Sequence, residues 1–174
     1  MSGLKVAAQL GALALVLALL GLLAWKVVED NGAVARVGEP IPSFDLPQLD
    51  GSGRVVVDAS PARPMVINFW ATWCGPCRDE APLLASASSK YRGRVDFVGV
   101  DIRDFNGDAR AFARRYGLRF PMAYDGPGSL WEPWGITALP ETFVVDGSGR
   151  IVAHQARAFA DRTELEDAIR KALS

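Results

Sequence analysis

The chain lacks the residues that the commonest metal sites depend on. Its 174 residues include a single histidine and only two cysteines, too few for the Cys/His sets of a structural zinc centre. It also lacks any excess of positive charge. Nineteen Lys and Arg stand against 20 Asp and Glu, for a net charge of -1, so nothing in the composition suits a phosphate backbone, and nucleic acid is excluded as an expected partner. No internal repeat is present, and the length is too small for two independent cores. One globular domain plus a terminal segment is expected.

What is present in excess is hydrophobicity near the start. From Val6 to Trp25 no residue is charged and only Gln9 is polar. Twenty helical residues at about 1.5 Å each span about 30 Å, the hydrocarbon thickness of a bilayer. A cleaved signal peptide is the alternative, since Lys5 precedes the run and Ala33-Val34-Ala35 has the pattern of a cleavage site. The run exceeds the usual apolar core of such peptides, roughly 7–15 residues. Charged Lys26, Glu29 and Asp30 also separate it from Ala33. Residues 1–28 are therefore read as a membrane anchor, with Trp25 at the interface. Residues 29–38 are polar and aperiodic and read as a linker, leaving 39–174 as the domain.

Within the domain, Arg54 to Asp58 reads as a short strand after the turn Asp50-Gly51-Ser52-Gly53, and Met65 to Trp70 as a buried strand interrupted only by Asn68. A helix is expected from Gly75 to Tyr91, stopped by Gly93, then a second buried strand from Val95 to Val100. Asp108 is positioned to cap a helix whose apolar face is Ala109, Phe112, Ala113 and Tyr116. Phe143–Val145 and Ile151–Ala153 flank Asp146-Gly147-Ser148-Gly149 as a hairpin. Asp161 and Glu164 form a capping-box pattern for a last helix with Leu165, Ala168, Ile169 and Ala172 inward. This order predicts an α/β fold with a mixed central sheet flanked by helices.

The two cysteines lie in Trp73-Cys74-Gly75-Pro76-Cys77. A purely structural disulfide across so small a loop removes little entropy from the unfolded chain, so a redox pair remains. Cys74 falls where the strand yields to the helix. There, free N–H groups and the positive end of the dipole stabilise a thiolate and lower its pKa from about 8.5 into the range of roughly 3.5–7.5. Cys77, one turn on, is carried inward but reaches Cys74, so the first thiol attacks and the second resolves. Pro76 suits the first helical turn, and Gly75 leaves room for a partner's backbone.

Phe69-Trp70-Ala71-Thr72-Trp73-Cys74-Gly75-Pro76-Cys77, with Pro82 five residues on, resembles the active-site strand and kinked helix of the thioredoxin superfamily. Gly38-Glu39-Pro40, Phe44-Asp45-Leu46, Gly99-Val100-Asp101 and Leu139-Pro140-Glu141-Thr142-Phe143 resemble its membrane-tethered TlpA/ResA/CcmG (DsbE) group over residues 38–174. The Pro-Glu-Thr-Phe run is most like the CcmG branch, whereas Gly75-Pro76 between the cysteines is that of general thioredoxins. The resemblance implies a thioredoxin-like fold and a thiol–disulfide oxidoreductase that reduces protein disulfides in cytochrome c maturation. It also implies apocytochrome c among the substrates, a membrane thiol reductant as electron donor, and an extracytoplasmic domain. Pro140 would be a cis-proline opposite the cysteines, and Trp73, Leu139 and Pro140 would face the substrate. Asn68 holds the place of the buried Asp of cytoplasmic thioredoxins and cannot titrate. Glu80, three residues after Cys77 and so on the same helix face, would be the acid that tunes and deprotonates the pair, with Glu141 as a second candidate.

No cofactor and no metal enters this reading, because two sulfurs carry the electrons. A general reductase or an oxidase of the same fold is the near alternative, since sequence does not fix redox poise. A copper-delivery module using the thiols as soft ligands is the distant one. His154 is expected to be a surface strand residue, Trp131 and Trp134 to be core or rim packing, and the charges from Arg110 to Arg115 to be a solvated helix face.

Overall fold

The computed structural model describes residues 2–30 and 35–174, with side chains in the first stretch described at Gly3 and residues 9–23. The chain divides into two compact units. The first holds helix α1 (Ser2–Asp30), whose described side chains are all exposed. Among the described residues no helix is long and apolar enough to cross a membrane. Residues 9–23, at about 1.5 Å each, account for about 22 Å of the roughly 30 Å needed. The expected span, Val6 to Trp25, lies partly outside them.

The second unit begins with an antiparallel pair, β1 (Phe44–Pro47) and β2 (Arg54–Val57). There follow β3 (Met65–Trp70), α2 (Gly75–Lys90), β4 (Asp96–Ile102), α3 (Asn106–Arg115), β5 (Met122–Asp125), β6 (Glu141–Val145), β7 (Ile151–Gln155) and α4 (Arg162–Ala172). The five-stranded sheet has the order β5-β4-β3-β6-β7. Strands β3, β4 and β5 run parallel, while β6 pairs antiparallel with both β3 and β7, so the sheet is mixed, as the alternation of elements implied.

The described helices of this unit lie on one face of the sheet. Both parallel crossovers, β3 to β4 and β4 to β5, step outward in the same direction, and right-handed connections then place α2 and α3 on one face. Val66 of β3 packs there with Leu84 of α2 and with Leu165 and Ile169 of α4, and Trp70 packs with Ala109 and Phe112 of α3. The opposite face, carrying Ile67 and Phe69, is covered by the β1–β2 pair and by Leu130, Trp134 and Ile136, none of them helical. Trp134 is fully buried against Phe69, 5.0 Å between ring centroids. Three local expectations change. Asp108 lies inside the first turn of α3, whose cap is Phe105 with no side-chain hydrogen bond. Strands β1 and β5, four residues each, are added to those that the sequence pattern marks. At α4, Asp161 accepts from Glu164 N at 3.0 Å, but the Glu164 carboxylate turns to Ala160 N, Arg157 and Gln155 and does not close the box.

Candidate active site around Cys74 and Cys77

Strand β3 is buried at every position and so delivers its end to a fixed place beside α2. Cys74 is the N-cap of α2 in extended conformation, with Pro76 in the first turn. The sulfurs form a disulfide at 2.04 Å. The Cys77 N–H donates to Cys74 Sγ at 3.1 Å, so the cap sulfur already occupies the place where a thiolate would be stabilised. Cys74 is 4% and Cys77 3% exposed. Accessibility therefore does not distinguish attacker from resolver in the disulfide state, whereas the cap position does.

The loop before Cys74 is held from the β4–α3 connection. Asp104 accepts hydrogen bonds from Thr72 N at 2.5 Å and Thr72 Oγ1 at 3.0 Å. Trp73, 57% exposed beside the disulfide, donates its indole N–H to Arg103 O at 3.0 Å. Arg103 has φ of 55°, a region that non-glycine residues rarely adopt, and its guanidinium lies 4.1 Å above the Trp131 ring. Trp131 is thus a rim residue and Trp134 a core residue.

Pairing of Phe69 with Glu141 places the start of β6 beside the end of β3, which brings Pro140 to the disulfide's end of the sheet. The Leu139–Pro140 peptide is cis, and Leu139, half-buried, packs against the cluster containing both cysteines. Leu139 and Pro140 therefore lie at the disulfide's end of the sheet, where Trp73 directly precedes Cys74.

Glu80 is 1% exposed. Its oxygens accept from Asn68 Nδ2 at 3.2 Å and Phe159 N at 3.1 Å. Burial pushes its carboxyl up from 4.5 to about 7, against the pull of those two hydrogen bonds, and Glu164 adds to the rise. Asn68 also donates to Thr142 Oγ1 at 2.9 Å, so its amide ties α2 and β6 together across β3. Glu141, equally buried, goes the other way. Burial raises it, but hydrogen bonds from His154 and Thr137 outweigh that and hold it below its ordinary value. Thr137 N and Oγ1 occupy one oxygen at 3.0 and 2.7 Å, and His154 Nε2 meets the other at 3.3 Å. Glu141 therefore braces the turn preceding Pro140, and Glu80 alone of the two is poised near neutrality. His154 is an exposed residue of strand β7, as expected, but its ring makes specific contacts. Its ring stacks on Phe143 at 4.3 Å, and only 29% of its side chain is exposed.

Sequence reasoning missed Asp101 and Asp104. Asp101 ends the Gly-Val-Asp run already singled out and is 0% exposed. The signal was a carboxylate closing a continuous apolar strand. Among the described residues no group of three or more His, Cys, Asp or Glu is arranged to hold a metal.

Residues 37–154 match the AhpC/TSA family, and the chain belongs to that family. Within it the likeness is to thiol–disulfide proteins. A Paracoccus denitrificans thiol:disulfide interchange protein, a DsbE homologue, is 38% identical over 142 residues, covering 78% of this chain and 76% of that protein. The ResA thiol-disulfide oxidoreductase of Geobacillus thermodenitrificans is 30% identical over 140 residues, 80% of each chain. A Chlorobium tepidum structure described as a thiol:disulfide interchange protein DsbE superposes with a TM-score of 0.73 at 29% identity, over 80% of this chain and 99% of that one. The protein is a thiol–disulfide oxidoreductase of the DsbE/ResA type with a thioredoxin-like fold.

Proposed function

We propose that the protein reduces disulfides of protein substrates outside the cytoplasm, with apocytochrome c among them, and that Val6 to Trp25 tethers it to the membrane. The observation that carries the reading is Cys74 at the cap of α2, with the buried carboxyl of Glu80 one turn beyond Cys77. The dithiol form is the active one. The Cys74 thiolate attacks a substrate sulfur, the substrate S–S bond breaks, and a mixed disulfide forms as one substrate thiolate leaves and takes up a proton. Cys77 then loses its proton, with Glu80 as the acceptor near neutrality, and attacks Cys74 Sγ. The second substrate thiol departs and the Cys74–Cys77 disulfide remains. Two electrons have passed to the substrate, and a membrane thiol reductant must return them. Trp73, Leu139 and Pro140 supply the surface against which an extended substrate segment lies. The location is supported by chemistry as well as by the apolar run, because cytoplasmic thiols are already kept reduced.

The test is Cys77→Ser in its reduced form, offered oxidised clients. It should accumulate mixed disulfides through Cys74, with apocytochrome c or its assembly factors among the trapped partners. A broad set of secreted proteins would make it a general reductase, and equal trapping by Cys74→Ser would reverse the two sulfur roles. A measured potential near that of strong oxidants would replace reductase by oxidase.

A further inference from the structure

One buried carboxyl beneath the active-site loop has no part in the exchange just described. Asp101 is 0% exposed, and neither of its oxygens has a hydrogen-bond partner. Register places it beside Trp70, the strand end from which Thr72 to Cys74 emerge. Asp104, three residues on and 9% exposed, is the carboxyl that, after burial itself, does most to raise the proton affinity of Asp101. Asp104 is itself committed to that loop, accepting from Thr72 N and Oγ1 and from Phe105 N at 2.7 Å. A carboxylate buried without a donor is strongly disfavoured, and two facing carboxylates do not both ionise readily. A single proton between them removes both difficulties, since a neutral acid is a donor.

We propose that Asp101 is a positioning residue for thiol exchange: as the neutral acid it donates to Asp104, and this shared proton fixes the carboxylate that holds Thr72 two residues ahead of Cys74. Deprotonation then sets two negative charges against each other and loosens that hold. The inference rests on the thiol-exchange reading only in what the loop is for; the shared proton stands without it.

Among the described residues no cation forms an ion pair with either carboxyl. From β5 come Asp125, whose oxygens are occupied by Ser129 and Leu130, and the Tyr124 hydroxyl, which donates to Asp104 O at 3.1 Å. From β3 comes Trp70, uncharged, its indole N–H also without a partner. The α3 side contributes Asp108 in its first turn, and α2 contributes the two sulfurs and Arg78, whose guanidinium donates to Thr72 O at 3.4 Å and stays charged throughout the range tested. The guanidinium of Arg103 is turned over Trp131, and no ion pair among the described residues involves Asp101 or Asp104. Burial, with Asp104 and Asp125 adding to it, pushes Asp101 from 3.8 to about 8, so the proton leaves in an accessible range.

The experiment follows the Thr72 amide by NMR in the full-length disulfide form, in detergent micelles, as pH rises from about 6 to about 9. Thiols do not titrate in that form. The wild-type amide should shift with a midpoint near that of Asp101, and the shift should be absent in Asp101→Asn and in Asp104→Asn. Asn resembles neutral Asp in shape, so the first variant should keep its fold, which the amides of β3 report. An infrared carbonyl band of a protonated acid, recorded in a Glu80→Gln background to remove the other carboxyl that burial raises toward neutrality, should vanish when Asp101→Asn is added. In the dithiol form, the wild-type reductase rate should fall severalfold relative to Asp101→Asn as pH passes about 8. A Thr72 amide that does not move in the wild type, or moves identically in Asp101→Asn, overturns the inference while leaving the proposed function intact. Absence of reductase activity in the wild type would count against the function and leave the Thr72 titration to judge Asp101.

Discussion

Glu80→Gln should reverse its effect on stability with pH. In the folded protein burial raises Glu80 from 4.5 to about 7, so the native state binds this proton more tightly than the unfolded chain does. Between those values the native state carries more protons, and stability falls as pH rises, levelling above about 7. At about 1.4 kcal/mol per tenfold difference in proton affinity, the wild type loses about 3 kcal/mol across that window through this group. Gln cannot ionise and escapes the loss. It does have one acceptor oxygen where the carboxyl offered two, and so leaves either Phe159 N–H or Asn68 Nδ2 facing an amide N–H, at about 1 kcal/mol. The variant should therefore be about 1 kcal/mol less stable than wild type near pH 4 and about 2 kcal/mol more stable near pH 8. Urea unfolding of the disulfide form at the two pH values measures this without interference from thiols. Asp101 titrates in both proteins and cancels in the difference. A difference in stability that stays flat with pH would show an ordinary carboxyl at position 80, and the proposed proton transfer from Cys77 would lose its acceptor.

Four further outcomes follow. The full-length protein should remain in membranes after carbonate washing with its domain open to external protease, and recovery of a soluble chain beginning near Arg36 would replace the anchor by a cleaved signal. Glu80→Gln should slow reduction of protein disulfides near neutral pH, and unchanged rates from about pH 5 to about pH 9 would remove Glu80 from the reaction. His154→Ala should weaken the brace on Glu141 and lower the apparent affinity for protein clients with little change in the alkylation rate of Cys74, whereas equal loss of both would place His154 in general stability. Asp161→Ala should cost about 1 kcal/mol of stability by removing the α4 cap, read as a lower urea midpoint with unchanged slope.

How far the sequence could be read depended on how local the cause was. Met65 to Trp70 stood out as β3 because six consecutive buried positions leave an apolar run interrupted only by Asn68. The inner face of α4 was legible because Leu165, Ala168, Ile169 and Ala172 recur at helical spacing, and all four are buried. The redox pair was legible because no other cysteine competes with it. What could not be read depended on partners distant in sequence. Strand β5 exists because Met122 to Asp125 find β4, and the contacts of His154, an exposed strand residue as expected, were not legible because Glu141 and Phe143 lie across a hairpin.

Replacement of a strand acid by Asn68 shows why the site still needed three dimensions. The amide keeps the buried position polar, and its two N–H donors reach Glu80 and Thr142, so what the sequence shows as the loss of a titrating group is in space a relocation of it by one layer, from β3 to α2. The move matters chemically. On α2 the carboxyl shares a rigid helix with Cys77, so its position relative to the resolving thiol is set by helix geometry and does not depend on how strand and helix pack. Its second anchor, Phe159 N, comes from the loop before α4 and pulls its proton affinity down, while burial outweighs that pull and lifts it toward neutrality. A proton acceptor tied to the helix of one sulfur can be read from sequence as a position, three residues after Cys77, but its proton affinity arises only when folding buries it.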